Sequence, residues 1–186
     1  MRSARGVAAS VLFLVALPLA VLIQLLFGVE PEAVLHLVFA AGFLLLALAF
    51  PDFAIPAWGR VLGCAAAGSL AGIFFLQGVA QLTASASLHA LAFDVLGQTV
   101  ESLLINAVVL TLLLVLLRDS HGLSRVLGIA VLALVLAMEL YAFVLPAIGV
   151  TPGAEPFNLK VLYLLPFVWF LLESAGRRER VALAGA

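Results

Sequence analysis

Long apolar runs constrain the fold of this chain more than any other feature of its sequence. Apolar stretches of 18 or more residues recur along the 186 residues, and each can cross a hydrocarbon layer about 30 Å thick as a helix. Hydrophobic residues make up 66% of the chain and charged residues only 10%, whereas a soluble domain is about half apolar and about a quarter charged. The sequence therefore predicts an all-α integral membrane protein that crosses the bilayer several times.

We expect six membrane-spanning helices that pack as one domain over residues 1–186, because no soluble or repeated segment interrupts the pattern. The start of the second span carries the residues Glu30-Pro31-Glu32, where proline suits the first helical position and carboxylates suit the positive end of the helix dipole. The predicted spans are residues 7–28, 33–50, 59–81, 96–117, 124–146 and 157–174.

The first apolar run follows Arg2 and Arg5, as the apolar core of a signal peptide follows its basic residues. This run extends from Val7 to Phe27, whereas the apolar core of a signal peptide has about 7–15 residues. We therefore expect the run to be retained as the first helix.

The basic residues predict the orientation of the six-helix bundle, because lysine and arginine concentrate in cytoplasmic loops. Of the nine basic residues, only Lys160 falls on the opposite side when the number of spans is even. The others are Arg2, Arg5, Arg60, Arg118, Arg125, Arg177, Arg178 and Arg180. We therefore expect a plasma-membrane protein with both termini in the cytoplasm.

With this topology, all six helices contribute polar residues to the outer half of the membrane, and the inner halves contain almost nothing comparable. A charged side chain near the bilayer centre costs about 2.5–3.5 kcal/mol, so such residues usually face the bundle interior or a wet cavity. The inner halves offer Ser10, Ser69 and Thr111, which can bond to their own helices. We expect an outward-open pocket floored near Asn106 and Glu139. Its candidate ligand-binding residues are His36, Gln77, Gln98, Glu101, Asn106, Glu139, Tyr141 and Lys160.

The fourth predicted helix shows this polarity in its angular pattern. Its polar residues fall within an arc of about 160° at helical spacing, and the opposite arc is apolar. The polar set is Asp94, Gln98, Thr99, Glu101, Ser102 and Asn106. We expect the polar face to point into the bundle. Two alternatives stay open, since Asp94 can cap the helix and Glu101 can extend to the interface.

Glu139 lies deep in the fifth predicted helix, and no acid or base lies within one turn of it on that helix. Its partner must then come from another helix, with Lys160, His36 and Glu101 at reachable depth. Alternatively Glu139 is protonated and hydrogen-bonded for packing, so both a ligand-binding and a structural role stay open.

Sequence motifs for catalysis or cofactor binding are missing. No HExxH, Walker A or GxGxxG motif occurs, and no stripe of basic residues suits nucleic acid. His36 and His89 lie on the predicted outer side with several acids, which leaves a divalent-metal site as an alternative. We predict no catalytic residue, no metal and no cofactor, and we favour a protein that is not an enzyme.

Small residues in the third predicted helix, Gly59, Gly63 and Ala67, are spaced for close helix contact in lipid. This spacing predicts a central position in the bundle, and a homodimer contact is the alternative. In the first helix Ala16 and Ala20 have the same spacing. With six helices, cytoplasmic termini and an outward pocket, the chain resembles the substrate-binding components of energy-coupling-factor transporters. Those components dock on a membrane partner through an alanine pattern.

Three function classes follow. The resemblance and the pocket favour the binding or transport of a small solute, with the bilayer and a membrane partner subunit as partners. A second class is a membrane-embedded enzyme acting on an outer-leaflet lipid or prenyl substrate, with His36, Asp94, Glu101 and Glu139 as acid, base or metal ligands. A third is a non-catalytic partner or assembly subunit whose polar groups fix helix packing.

Overall fold

The computed structural model describes residues 3–147 and 165–184, and every regular element in these ranges is helical. The helices are α1 (Ala4–Phe27), α2 (Pro31–Ala49), α3 (Ala57–Thr83), α4 (Ala86–His89), α5 (Glu101–Asp119), α6 (Gly122–Ala147) and α7 (Leu165–Ala184). A 3₁₀ turn, Phe50–Asp52, extends α2, and a π-helix, Ala90–Val100, joins α4 to α5. Within the described ranges, α1, α2 with its 3₁₀ turn, and α3 are long and apolar enough to cross a membrane.

Short turns at the helix ends reverse the chain direction. At the end of α1, Gly28 adopts a left-handed conformation with φ 67°, and its amide donates to the carbonyl of Gln24. Glycine tolerates this conformation because it has no Cβ. Pro31 then opens α2 at the position where a missing N–H costs nothing. These two residues bring α1 and α2 together as antiparallel neighbours.

Side-chain hydrogen bonds show which helix ends lie next to each other. The Arg5 guanidinium at the start of α1 donates to the carbonyl of Leu48 at the end of α2, over 3.1 Å. The Ser124 hydroxyl at the start of α6 donates to the carboxylate of Glu173 in α7. We call the end that carries the described arginines the basic end, and the opposite end the acidic end. The basic end is defined by Arg5, Arg60, Arg118 and Arg125, and the acidic end by Glu30, Glu32, Asp94 and Glu101.

Close approach of α3 to α5 depends on glycine. A Cβ atom on Gly63 would lie 2.6 Å from Cγ2 of Thr111 and 2.7 Å from Cδ2 of Phe50. A Cβ on Gly59 would lie 2.7 Å from Cδ1 of Leu114. Because α3 also packs against α2, α4 and the π-helix, its predicted central position is confirmed.

Two further glycines of α3, Gly68 and Gly72, are not in close contact with another helix. A Cβ atom on Gly68 or Gly72 would meet nothing within 4 Å. A homodimer contact through this helix stays a prediction, and Gly68 and Gly72 are the glycines available for it. In contrast, Ala16 and Ala20 of α1 are each only 1% exposed. The alanine pattern is therefore occupied by packing inside the chain and is not presented to a partner.

Two predicted helix boundaries differ from the observed ones. The fourth span was expected at 96–117, but the chain is helical from Ala86 to Asp119, because α4, the π-helix and α5 follow one another directly. The sixth span was expected to end at 174, but α7 continues to Ala184. Its last turns contain arginine, glutamate, leucine and alanine, which favour helix in water as well as in lipid. The predicted start of this span lies outside the described residues.

The glycine contacts generate a matched pair of substitutions. Gly63→Ala is expected to lower the free energy of unfolding by about 1–3 kcal/mol, because the new methyl group overlaps Thr111 and Phe50. Gly68→Ala adds the same methyl group to open space on the same helix, and should be neutral or stabilising by up to about 1 kcal/mol. Thermal unfolding of both variants in one detergent checks this. Equal effects at the two positions would contradict the packing of α3 on α5.

Candidate functional site

A buried glutamine and a carboxylate meet between α3 and the start of α5. Gln77 is 3% exposed, and its Nε2 donates to Oε2 of Glu101 over 3.1 Å and to the carbonyl of Ala92 over 3.4 Å. These two acceptors fix the orientation of the amide, since the reverse orientation would place Oε1 against both of them. Within the part of the chain that the structure describes, the Oε1 atom of Gln77 is buried without a hydrogen-bond partner.

The π-helix packs directly against the Gln77 side chain. A Cβ atom on Gly97 would lie 3.2 Å from Nε2 of Gln77 and 3.2 Å from the carbonyl oxygen of Ala92, so glycine lets the helix backbone approach the amide. The amide of Glu101 donates five residues back, to the carbonyl of Leu96. π-Helical turns are rare and often occur at functional sites. Of the two acceptors that hold Gln77, the carbonyl of Ala92 lies within the π-helix and Glu101 directly follows its last residue.

A second hydrogen-bond network joins α2 and α3 at the same end. Nε2 of Gln81 donates to Oε2 of Glu32 over 3.1 Å, and Oε1 of Gln81 lies 2.9 Å from Nδ1 of His36. Because the carboxylate fixes the orientation of the Gln81 amide, its Oε1 accepts and Nδ1 of His36 carries the proton. In a neutral His36 ring, Nε2 is then the acceptor.

Aromatic rings lie beside these two networks. Phe93 of the π-helix stacks on His89, with ring centroids 4.4 Å apart, and meets His36 edge to face at 5.6 Å. The other side of His36 stacks on Phe74 of α3 at 5.8 Å. Phe93 thus bridges the two histidines and adds an apolar surface next to the polar groups.

A cleft of about 370 Å³ opens where α3 turns into α4. Its lining residues are Ala80, Gln81, Ala84, Ser85, Ala86, His89, Ala90 and Asp94. Asp94 is exposed within the π-helix, and Ser85 occupies the cap position of α4, where its Oγ accepts from the amide of Leu88. The alternative interpretation of Asp94 as a helix cap is therefore wrong.

Three of the predicted site residues, His36, Gln77 and Glu101, lie at the acidic end in these networks. Asn106 does not join them, because it is exposed while Leu104 and Ala107 pack against the core. The physical reason is angular. Glu101 and Asn106 lie about 140° apart on a helix, so only one of them can face α3.

For four other predicted site residues the structure describes no side-chain contact. Gln98 lies in the π-helix, and Glu139 and Tyr141 lie in α6, but their side chains fall outside the part of the chain that the structure describes. Lys160 lies outside the described residues altogether. The ligand-binding roles of all four stay predictions.

Two contributing residues, Glu32 and Gln81, were not among the predicted site residues. A sequence signal for them exists. Glu32 and His36 are four residues apart on α2, and Gln77 and Gln81 are four apart on α3, so each pair shares one helix face. Two such polar pairs on neighbouring antiparallel helices predict a contact between them.

Polar residues also lie at the basic end, in addition to those expected. Ser10 donates to the carbonyl of Gly6 over 2.9 Å and Thr111 to that of Ala107 over 3.0 Å, as the sequence predicts. Glu173 is also buried at this end and is only 1% exposed, which the sequence did not predict.

The buried Glu173 carboxylate accepts from Oγ of Ser124. Nε1 of Trp169 donates to the backbone carbonyl of Ser124 over 2.9 Å, so the same residue joins two side chains of α7. The Oγ atoms of Ser120 and Ser174 are buried near this end, and residues 3–147 and 165–184 supply no hydrogen-bond partner for them. These contacts tie α6 to α7, and we assign them to helix packing.

No protein-family model, no curated protein and no solved structure matches this chain. Function must therefore be inferred from the geometry of its own residues. Across residues 3–147 and 165–184, no group of three or more His, Cys, Asp or Glu is arranged to hold a metal ion.

The Gln77–Glu101 contact can be tested with a double-mutant cycle. Gln77→Leu and Glu101→Leu should each destabilise the protein, and the double variant should lose less than the sum by about 0.5–3 kcal/mol, because the two residues share a hydrogen bond. Thermal unfolding in detergent measures the coupling. Combining Gln77→Leu with Glu30→Leu, at the same end of the bundle, is the control and should be additive. A coupling near zero between Gln77 and Glu101 would show that the contact does not form.

Proposed function

We propose that this chain is a plasma-membrane protein with six membrane-spanning helices and cytoplasmic termini, and that its acidic end forms an outward-facing pocket that binds a small solute for transport. The antiparallel contacts between the described helices support the alternating topology. The grouping of Arg5, Arg60, Arg118 and Arg125 at one end supports a cytoplasmic location for that end.

One observation carries the solute-binding proposal. Oε1 of Gln77 is buried directly beside the Glu101 contact and has no hydrogen-bond partner among the described residues. Leaving a buried acceptor unpaired costs about 1–3 kcal/mol, and polar groups inside a membrane bundle are usually retained for function. A bound solute that donates to this oxygen would recover that cost.

The surroundings of the pair have the composition of a binding site. Ligand pockets combine an apolar lining with a few fixed polar groups. Here the apolar part is supplied by Phe74 and Phe93, and the polar part by Gln77, Glu101 and the His36 network. A cleft lined by Gln81, Ser85 and Asp94 opens at the same end of α3, and we propose that a solute reaches the pair from this side.

Topology and access can be tested with cysteine variants in a Cys64→Ala background, which has no other cysteine. A membrane-impermeant maleimide added to intact cells is expected to label His89→Cys and Asp94→Cys, which line the cleft. His121→Cys and Arg125→Cys, exposed at the basic end, should be labelled only after the cells are permeabilised. The reverse pattern would contradict the orientation. Protection of both cleft positions from the outside would contradict the pocket.

Solute binding can be tested by thermal unfolding of the purified full chain against amines, carboxylates, sugars and nucleosides. A ligand present at 100 times its Kd should stabilise the protein by about 2.7 kcal/mol. Glu101→Gln should lower that gain by about half or more, because it removes the charge next to Gln77. Glu30→Gln, an equal loss of charge at the same end, is the matched control and should retain the gain. If no class gives a stabilisation that depends on Glu101, solute binding at this site is wrong.

A further inference from the structure

The Gln77–Glu101 pair presents hydrogen-bond acceptors and has no donor to spare. Both hydrogens of Gln77 Nε2 are directed to acceptors, one to Ala92 and one to Glu101. What remains at the site is the buried Oε1 of Gln77 and the carboxylate of Glu101. A solute that completes these hydrogen bonds must therefore bring N–H or O–H groups.

Among the described residues, the charged groups at this end are acids. Glu30, Glu32, Asp94 and Glu101 are the described acids of the acidic end, and each described arginine side chain lies at the basic end. The carboxylate of Glu101 is partly buried, so it attracts a positive charge beside it more strongly than it would in bulk water, where the dielectric constant is higher. An anionic solute would add repulsion, whereas a cation would supply that positive charge.

The aromatic rings at the same end of the helices are suited to the remainder of such a solute. Phe93 contacts both His36 and His89, and Phe74 contacts His36. Aromatic faces attract ammonium groups within about 6 Å, and they also bury alkyl chains. The combination of acceptors, a carboxylate and aromatic rings favours a small amine over a sugar or a carboxylic acid.

We propose that the solute of this pocket is an organic amine, bound as its ammonium ion, with N–H groups donating to Oε1 of Gln77 and to the carboxylate of Glu101 and with its carbon chain against Phe93. This inference rests on the proposed solute-binding function and adds the chemical class. No covalent step is involved.

Three probes of similar shape and different charge separate the classes. Butylammonium chloride, 1-butanol and sodium butyrate are titrated at equal ionic strength into the purified full chain in non-ionic detergent, and binding heats are measured. Butylammonium is expected to bind the unmodified chain and Glu30→Gln equally. Glu101→Gln should raise its Kd about tenfold or more, because a hydrogen bond to a charged group is lost.

Gln77→Leu provides a second variant, since leucine has no acceptor and has a branched apolar side chain of similar size. It should weaken butylammonium binding as well, and melting curves without solute show whether either variant is folded. If Gln77→Leu does not fold, Glu101→Gln decides alone, because glutamine keeps the size of the side chain and an oxygen that accepts from Gln77.

The alternative outcomes are distinct. Butyrate or butanol binding more tightly than butylammonium, with a loss in Glu101→Gln, would overturn the amine class and leave the solute pocket in place. Butylammonium binding that is equal in all variants would overturn the assigned site, and absence of binding by all three probes would overturn the inference. Failure of the proposed function is seen separately, as protection of the cleft cysteines together with no stabilisation by any solute class.

Discussion

Satisfying polar groups without water is the constraint on which the rest of this structure depends. In hydrocarbon a backbone N–H or C=O must bond within the protein, and helices meet that condition within each segment. The same condition applies to side chains. Ser10 and Thr111 bond to their own helices, whereas Gln77 and Gln81 find partners on neighbouring helices. Polar side chains therefore determine which helices lie together at each end of the bundle.

Close packing then determines how near the helices approach. Lipid provides no hydrophobic force between helices, so association relies on van der Waals contact and hydrogen bonds. Glycine at positions 59 and 63 lets α3 lie against the side chains of α5. At the other end of α3, Gly97 of the π-helix permits the equivalent approach to Gln77. The Gln77–Glu101 pair thus depends on two close contacts of α3, one with α5 and one with the π-helix.

The carboxylates at the two ends of the bundle, buried Glu173 and partly buried Glu101, are held by different partners. Glu173 at the basic end accepts from a serine, which also joins it to Trp169, and this arrangement ties two helices together. Glu101 at the acidic end accepts from Gln77, whose own amide oxygen has no partner among the described residues. The same residue type is therefore held by a hydroxyl in one place and by an amide in the other.

The sequence by itself determined that the chain is helical and apolar enough for a membrane, because length and hydrophobicity act locally along each segment. It also selected His36, Gln77 and Glu101, since polar residues in apolar helices are costly wherever they lie. Only the tertiary structure decided which of these residues meet. The π-helix, the exposed position of Asn106 and the contribution of Glu32 and Gln81 all depend on the rotation of one helix against another. That rotation is fixed by contacts between distant segments, such as Gly63 against Thr111, and helical spacing within one segment does not specify it.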